Sequence, residues 1–177
     1  MKKLILVNGI PASGKSSISR VISAYFNFPV LGIDDIKEPF MVQFSKTIDR
    51  TLNRKLGYAA YESMFNIVKA SPPESVFVMD AWFGFREKSV LSDYLELCGV
   101  KKTLEVWNNI SPELVAKRYK QRCSARVKGH PGEEYISELI ILAEKAQPMG
   151  IGDIYTVDQD KGVNNEDLIS WVKHRLI

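Results

Sequence analysis

The sequence predicts an α/β fold in which helices cover both faces of one parallel sheet. Two observations lead to this prediction. Short apolar runs typical of buried strands alternate with helical patterns along the whole chain, and the first run leads directly into a glycine-rich loop. The chain has 177 residues, of which 45% are hydrophobic, and a formal net charge of +3. This is enough apolar material for one core, and we expect a single domain over residues 1–177.

The glycine-rich loop reads GIPASGKS over residues 9–16 and has the spacing G-x-x-x-x-G-K-[ST]. In this motif backbone N–H groups turn toward phosphate oxygens, and the N-terminus of the following helix adds partial positive charge. The helix is indicated by apolar residues three or four apart, namely Ile18, Val21, Ile22 and Tyr25. The sequence therefore predicts a binding loop for the phosphates of ATP. Its expected contacts are Gly9, Pro11, Ala12, Ser13, Gly14, Lys15, Ser16 and Ser17.

Lys15 is expected to reach the β- and γ-phosphates, and the hydroxyl of Ser16 to ligate Mg²⁺. A second Mg²⁺ contact is predicted at Asp80, which ends the apolar run 76–79 in the manner of a Walker B strand. A buried strand that ends in Asp is common by itself. The phosphate-binding loop is what favours a metal-facing role for this carboxylate.

Another acidic pair, Asp34-Asp35, follows a predicted strand over residues 30–33. Ligands bind at the carboxyl edge of a parallel α/β sheet, and this pair is expected to lie there. Residues 38–70 have a mostly helical pattern, and further strands are predicted at 103–107 and 153–157. The predicted core stripe of the long helical stretch comprises Tyr61, Met64, Phe65 and Val68.

A row of arginines lies on the helix that Ser111 and Pro112 are predicted to start, with Ser111 as its cap. The row comprises Arg118, Arg122 and Arg126. Residues four apart share a helix face, and the row lacks the glutamates that commonly pair with arginines on a solvated face. We expect these arginines to contact phosphates, Arg118 and Arg122 foremost. The alternative is a solvated face.

Two loop segments have alternative interpretations. The aromatic stretch 82–86 could form a wall of the acceptor pocket or pack onto the sheet. His130 lies in a predicted break after the arginine-bearing helix, where a histidine is more often a packing residue than a catalyst. With Cys123 it does not form a zinc cluster by spacing.

Composition limits the classes of function that we consider. The two cysteines, Cys98 and Cys123, have no disulfide or metal-site spacing, which favours a reduced, cytoplasmic setting. No apolar run is long enough to span a membrane, and residues 1–3 lead into a strand, so we expect neither a membrane partner nor a cleaved signal. The mildly basic charge neither requires nor excludes nucleic acid.

The motifs, taken together, resemble those of small P-loop kinases related to the adenylate kinase group. The resemblance includes the phosphate-binding loop 9–16, Gly32–Ile36 after the second strand, Val78–Phe83 after the third, and the arginine row. Within that group, the acid after the second strand is similar to that of chloramphenicol phosphotransferases, zeta toxins and phage polynucleotide 5′-hydroxyl kinases. In one respect the chain differs, because the polynucleotide kinases have arginine where this sequence has Lys37.

The resemblance implies a five-stranded sheet of order 2-3-1-4-5 and a P-loop NTPase fold with a helical lid, a lid region at about residues 118–132. It implies that Asp34 accepts the proton of the acceptor hydroxyl. It also implies that Arg118 and Arg122 bind nucleotide phosphates, and that residues 158–163 help to form the adenine pocket. The alternative for Asp34 is a helix cap, a role for which Asp35 is the better candidate. A lid arginine such as Arg122 and Lys15 would neutralise the transferring phosphoryl group.

The leading interpretation is an ATP-dependent and Mg²⁺-dependent kinase that phosphorylates a hydroxyl group of a small molecule. The first alternative is a polynucleotide or nucleoside 5′-hydroxyl kinase. It is less favoured, because no run of interleaved aromatic and basic residues suits a nucleic-acid strand. The second alternative is an ATP-binding switch protein without a phosphoryl acceptor. The identity of the acceptor, the choice between ATP and GTP and the oligomeric state stay open at this point.

Overall fold

The computed structural model describes residues 1–176. Five strands form one sheet in which each neighbouring pair is parallel. The strands are β1 (Lys2–Asn8), β2 (Val30–Gly32), β3 (Val76–Asp80), β4 (Val100–Asn109) and β5 (Asp153–Asp158). Their order is β2-β3-β1-β4-β5, which confirms the predicted fold. Because the strands are parallel, their carboxyl ends lie on one edge of the sheet, where ligands of α/β proteins bind.

Helices connect the strands. They are α1 (Lys15–Phe26), α2 (Ile33–Gln43), α3 (Arg50–Ala70), α4 (Lys88–Leu97), α5 (Pro112–Cys123), α6 (Ile136–Lys145) and α7 (Asn165–Leu176). Short 3-10 helices lie at Phe83–Phe85 and Glu133–Tyr135. No helix within residues 1–176 is both long and apolar enough to cross a membrane.

The alternation of side chains along β1 shows how the three layers are built. Leu4 and Leu6 are fully buried with the apolar stripes of α3 and α4, whereas Ile5 and Val7 are fully buried with those of α1 and α7. A smaller cluster joins Ile10 of the phosphate-binding loop to α5 and α6. The central strand thus contributes to both faces of the sheet, as expected for a buried parallel strand.

The structure differs from the sequence-based prediction at several boundaries. The predicted helical stretch 38–70 is two helices, because residues 44–49 form a connection in which Asp49 caps α3 by accepting the N–H of Leu52 at 2.7 Å. The second strand ends at Gly32, so residue 33 already belongs to α2. Tyr25, which belongs to the apolar pattern that indicated α1, is 58% exposed, and its ring packs against Phe26.

One buried carboxylate connects the sheet to the segment before β5. Glu105, on β4, is fully buried, and its oxygens accept hydrogen bonds from the side-chain amide of Asn8 and from the backbone N–H groups of Met149 and Gly150, each at 2.8 Å. The N–H of Ile151 lies 3.4 Å from the same carboxylate. These donors satisfy the charge without a basic partner, and they hold residues 149–151 against the sheet.

We expect Glu105→Ala to lower the free energy of unfolding by about 3 kcal/mol, because it leaves several buried N–H groups without an acceptor. Urea denaturation followed by circular dichroism measures this change. Glu96→Ala, at an exposed position on α4, is the matched control and should change stability by less than about 0.5 kcal/mol. Equal stability of the two variants would contradict the structural role of Glu105.

Candidate functional site: a phosphate-binding loop and a cavity at the carboxyl edge of the sheet

The phosphate-binding loop connects β1 to α1 and has a backbone that only small residues allow. Gly9 and Gly14 have φ values of 153° and 92°. A Cβ on Gly9 would lie 2.5 Å from the hydroxyl of Ser13, and one on Gly14 would lie 2.7 Å from the side-chain amide of Gln159. Ala12 also has a positive φ, 68°, which is unusual for a residue with a side chain and is typical of strained functional loops.

Two side chains of this loop have groups suited to a phosphate. The hydroxyl of Ser13 is buried and has no hydrogen-bond partner in the described part of the chain. The ammonium of Lys15 donates to the backbone carbonyl of Ile10 at 3.0 Å. Burial lowers the pKa of Lys15, while Asp80 and Asp34 oppose that shift. The loop therefore holds a partly desolvated cation and a free donor at the N-terminus of α1, a combination that fits phosphate oxygens.

The predicted metal ligands come together at the end of β3. Asp80 is 8% exposed, and burial raises its pKa, against the opposing effects of the Lys15 ammonium and a hydrogen bond with the hydroxyl of Ser16. A carboxylate and a hydroxyl are oxygen ligands of the kind that Mg²⁺ takes, commonly with waters and phosphate oxygens in the other positions. Ser16 and Asp80 therefore fit the predicted metal site in the chemistry of their donors.

The three arginines of the lid region have three different environments. Arg122 lies over the ring of Tyr119, 5.0 Å from guanidinium carbon to ring centroid, and its buried Nε has no hydrogen-bond partner within residues 1–176. Burial and the nearby Arg126 lower its pKa. Arg122 also contributes to the electrostatic environment of Lys15. The proximity of Lys15 and Arg122, two desolvated cations, is consistent with the prediction that both act at phosphates.

Arg118 contacts the segment after β5 instead of the phosphate-binding loop. Its guanidinium donates to the side-chain carbonyl of Gln159 at 2.9 Å, and the amide of Gln159 donates to Asn108 at 2.9 Å. Gln159 also lies against Gly14. Gln159 and Asn108 could not be predicted from the sequence, because neither belongs to a motif. Only the position of Gln159 directly after a predicted strand, in the segment expected to border the adenine, could have indicated it.

Asp34 lies in the first turn of α2 and has two cationic partners. Its Oδ1 is 3.2 Å from the ammonium of Lys37, and its Oδ2 accepts a hydrogen bond from the guanidinium of Arg126 at 2.9 Å. Burial would raise the pKa of Asp34, but Lys37, Arg126 and His130 together lower it to about 2. The carboxylate is thus ionised at neutral pH. The capping alternative is wrong for both acids, because the N-cap of α2 is Gly32 and has no side-chain cap.

Arg126 and His130 belong to a polar cluster that the sequence analysis did not predict. The Nε2 of His130 is 2.7 Å from Oε1 of Glu38, and the guanidinium of Arg126 is 3.2 Å from the same imidazole nitrogen. The side chain of His130 is 4% exposed. Burial and the charges of Arg126 and Lys37 lower the pKa of His130 to about 3, so the neutral ring donates to Glu38. The buried side chain of His130 therefore connects the lid region to α2.

A cavity of about 780 Å³ lies between these groups. Its walls come from the phosphate-binding loop, the carboxyl ends of β2 and β3, the first turns of α2 and α3, and the lid region. The aromatic residues that line it are Tyr58, Trp82, Phe85, Tyr119 and Tyr135. In the stretch 82–86, Phe83 is fully buried in the core, as the packing alternative predicts, whereas Trp82 and Phe85 line the cavity. That this wall contacts a phosphoryl acceptor stays a prediction.

The lid region is closed onto α3 on one side of the cavity. The side-chain amide of Asn53 donates to the carbonyl of Gly129, and Gly129 has a φ of 105° with the side chain of Ile48 against it. A Cβ at Gly129 would lie 2.6 Å from Ile48. Asn53 lines the cavity, so its hydrogen bond to Gly129 holds the lid region beside it.

Comparisons with known structures support the fold. No family model and no curated protein matches this chain. The solved structure of a candidate kinase from Chloroflexus aurantiacus is 21% identical over 99% of both chains, with a TM-score of 0.76. Shikimate kinase from Aquifex aeolicus is 17% identical over 99% of this chain and 96% of its own, with a TM-score of 0.57. Deoxyadenosine kinase from M. mycoides is 14% identical over 98% of both chains, with the same TM-score of 0.57.

The chain therefore has the three-layer fold of small P-loop kinases, and the likeness extends over its whole length. At these identities the likeness shows the fold alone. The narrower resemblance to chloramphenicol phosphotransferases, zeta toxins and polynucleotide kinases stays a prediction, as do the roles of the individual site residues.

The low pKa of His130 leads to a prediction about stability and pH. The unfolded chain protonates this histidine below about pH 6.5, whereas the folded chain does so only near pH 3, so acidification between these values favours unfolding. Between pH 7.5 and 5.5, we expect wild type to lose about 1 kcal/mol more stability than His130→Gln. Denaturation at the two pH values measures this difference. His174→Gln, which removes the other histidine, is the control and should retain the wild-type pH dependence. If His130→Gln also retained the wild-type pH dependence, the pKa of His130 would not be lowered in the folded chain.

Proposed function

We propose that the protein is an ATP-dependent phosphotransferase that moves the γ-phosphate of ATP to a hydroxyl group of a small molecule. The observation that carries the proposal is the pair of desolvated cations, Lys15 and Arg122, that line the same cavity. Burial lowers the pKa of both. Desolvated cations are costly without an anion, and a polyphosphate supplies one.

The donor half of the proposed site is the phosphate-binding loop together with Ser16 and Asp80. The loop backbone and the free hydroxyl of Ser13 are suited to phosphate oxygens. Mg²⁺ held by Ser16 and Asp80 would neutralise negative charge on the β- and γ-phosphates. Arg118, through its contact with Gln159, lies beside the segment 158–163 that the resemblance assigns to the adenine pocket.

The acceptor half of the proposed site is the part of the cavity that borders Asp34. In the proposed step, the acceptor oxygen forms a bond to the γ-phosphorus while the bond from that phosphorus to the bridging oxygen of ADP breaks. The hydroxyl proton passes to the carboxylate of Asp34 as the new bond forms. A carboxylate with a low pKa can serve here, because the proton is transferred late in a loose transition state.

The shape of the cavity favours a small molecule over an oligonucleotide as the acceptor. About 780 Å³ is within the usual range for small-molecule sites. The hydrogen bond from Asn53, which lines the cavity, to Gly129 joins α3 to the lid region there, where a long strand would need an open groove. The aromatic residues Tyr58, Trp82 and Phe85 form one wall instead of a row of stacking platforms.

The proposal is tested by incubating the protein with Mg²⁺ and ATP labelled at the γ-phosphate, in the presence of panels of hydroxylated metabolites, antibiotics, nucleosides and oligonucleotides. Transfer of label to a small molecule supports the proposal. Transfer to oligonucleotides alone would favour the polynucleotide kinase alternative, and its salt dependence would identify phosphate contacts. ATP turnover that no acceptor changes would favour a switch protein.

Replacement of the loop lysine tests the donor half. We expect Lys15→Ala to lower the transfer rate by a factor of about 10²–10³, because one preorganised cation facing the transferring group is lost. The folding stability should change little, since Lys15 makes a single hydrogen bond to its own loop. Lys101→Ala, at an exposed position on β4, is the matched control. Transfer by Lys15→Ala at the wild-type rate would show that the loop does not bind the donor.

Replacement of Asp34 tests the acceptor half. Asp34→Asn keeps the shape of the side chain and removes its charge, so ATP affinity should be nearly unchanged while acceptor-dependent transfer falls by about 10²-fold or more. Calorimetric titration with ATP and steady-state transfer assays measure the two quantities. Asp35→Asn, one residue along α2, is the control. Unchanged transfer in Asp34→Asn would remove this residue from the proposed mechanism.

A further inference from the structure

Gly57 is an unusual residue for the interior of α3, because glycine destabilises a helix relative to alanine. It lies within a helix of 21 residues that continues on both sides of it, and it is the only glycine in an α-helix of residues 1–176. A residue that costs stability at such a position requires a physical reason.

Neither of the two common structural reasons for a glycine applies to Gly57. Seven glycines of the described chain have a positive φ, such as 92° at Gly14, and Gly57 is not among them. A Cβ at Gly57 would also meet no atom within 4 Å beyond its adjacent residues and its own helix backbone. Of the eleven glycines, all within residues 1–176, Gly57 alone combines an ordinary φ with such open space. The backbone and the packing would therefore accept a side chain here.

The open space beside Gly57 belongs to the cavity of the candidate site. Gly57 lines this cavity, and so do four other residues of α3, namely Arg50, Asn53, Arg54 and Tyr58. Positions 50, 53, 54, 57 and 58 share one face of a helix. The other four residues on this face have long or polar side chains, so the missing side chain at Gly57 leaves a recess in the surface that α3 presents to the cavity.

The recess at Gly57 lies beside a wall of three aromatic rings. The ring centroid of Tyr58, the next residue, is 5.8 Å from that of Phe85, and the centroid of Phe85 is 6.4 Å from that of Trp82. The guanidinium carbon of Arg86 lies 4.4 Å from the centroid of the Tyr58 ring. These contacts hold the rings in position before any ligand binds, so the wall is preorganised for an apolar group.

We propose that Gly57 is a specificity-determining residue whose missing side chain leaves room for a ring-sized apolar part of the acceptor, beside Tyr58, Phe85 and Trp82. This inference rests on the proposed function, because it assigns the acceptor of that reaction to a class, namely alcohols that carry a ring system. The hydroxyl of such a molecule would lie near Asp34, which lines the same cavity. A small open-chain polyol would leave the recess to water and would gain little from the aromatic wall.

The proposed role predicts opposite effects of a substitution on stability and on binding. A single methylene can change the discrimination of an apolar pocket by about tenfold or more. Alanine at position 57 would fill part of the recess, and leucine would fill most of it. Both residues have a higher helix propensity than glycine, so they should stabilise the free protein while they weaken acceptor binding. A glycine that the backbone requires would instead lose stability on substitution.

The test uses 2-naphthaleneethanol, an alcohol with two fused rings, as the probe, and so it does not require the acceptor to be known. Calorimetric titration in the presence of Mg²⁺ and ADP measures its Kd. We expect one probe molecule to bind per chain of wild type. Gly57→Leu should weaken this binding by about tenfold or more, and Gly57→Ala by a smaller factor. Ala59→Leu, at an exposed position of the same helix that does not line the cavity, is the matched control and should bind the probe as wild type does.

Thermal unfolding provides the second readout. We expect Gly57→Ala to raise the Tm by about 2–4 °C, and this variant keeps the binding test available if Gly57→Leu does not fold. Equal probe affinity of wild type and the Gly57 variants would overturn the proposal, as would a wild type that does not bind the probe or a lower Tm of Gly57→Ala. The proposed function fails by a different result, namely no transfer of label to any acceptor by a wild type that still binds the probe.

Discussion

The carboxyl edge of the sheet depends on a buried hydrogen-bond network that is centred on Asn8, the last residue of β1. Its side-chain oxygen accepts the N–H groups of Gly9 and Phe83, and its amide donates to Glu105. Its backbone carbonyl accepts from Asn108. One fully buried residue thus fixes the start of the phosphate-binding loop, the turn after β3 and the end of β4 relative to one another. Of the candidate site, the phosphate-binding loop and Asp80 lie next to segments that this network holds.

Charge at this edge is arranged in two separate groups. Lys15 and Arg122 are desolvated cations with only partial compensation, as expected of a surface preorganised for a polyanion. Around Asp34, in contrast, positive and negative side chains are matched, with Lys37 and Arg126 against Asp34 and Glu38. The partly compensated cations Lys15 and Arg122 would attract phosphates. The matched charges around Asp34 would instead suit a less charged molecule.

The sequence was sufficient for the sheet and the phosphate-binding loop, because strand periodicity and the glycine spacing are local signals. It was also sufficient to predict that Asp34 and Asp80 lie at the same edge of the sheet, because the carboxyl ends of parallel strands lie at one edge. The partners of Asp34 could not be predicted, since Glu38 and His130 meet only when the lid region folds onto α2, and no local pattern encodes that contact. The four-residue spacing of Arg118, Arg122 and Arg126 likewise predicted one shared helix face. Its members separate because the helix ends at Cys123, so Arg126 leaves the face that Arg118 and Arg122 share.

The contact between Ile48 and Gly129 gives the short connection 44–49 an importance that its sequence does not suggest. Ile48 lies just before α3 and packs against Gly129, the residue before His130, so this connection supports the backbone beside one wall of the cavity. An insertion there would displace Ile48 without altering the phosphate-binding loop or the strand ends. Proteins with this architecture could therefore diverge in the shape of this wall through changes in one surface connection, while the phosphate-binding loop and the sheet stay unchanged.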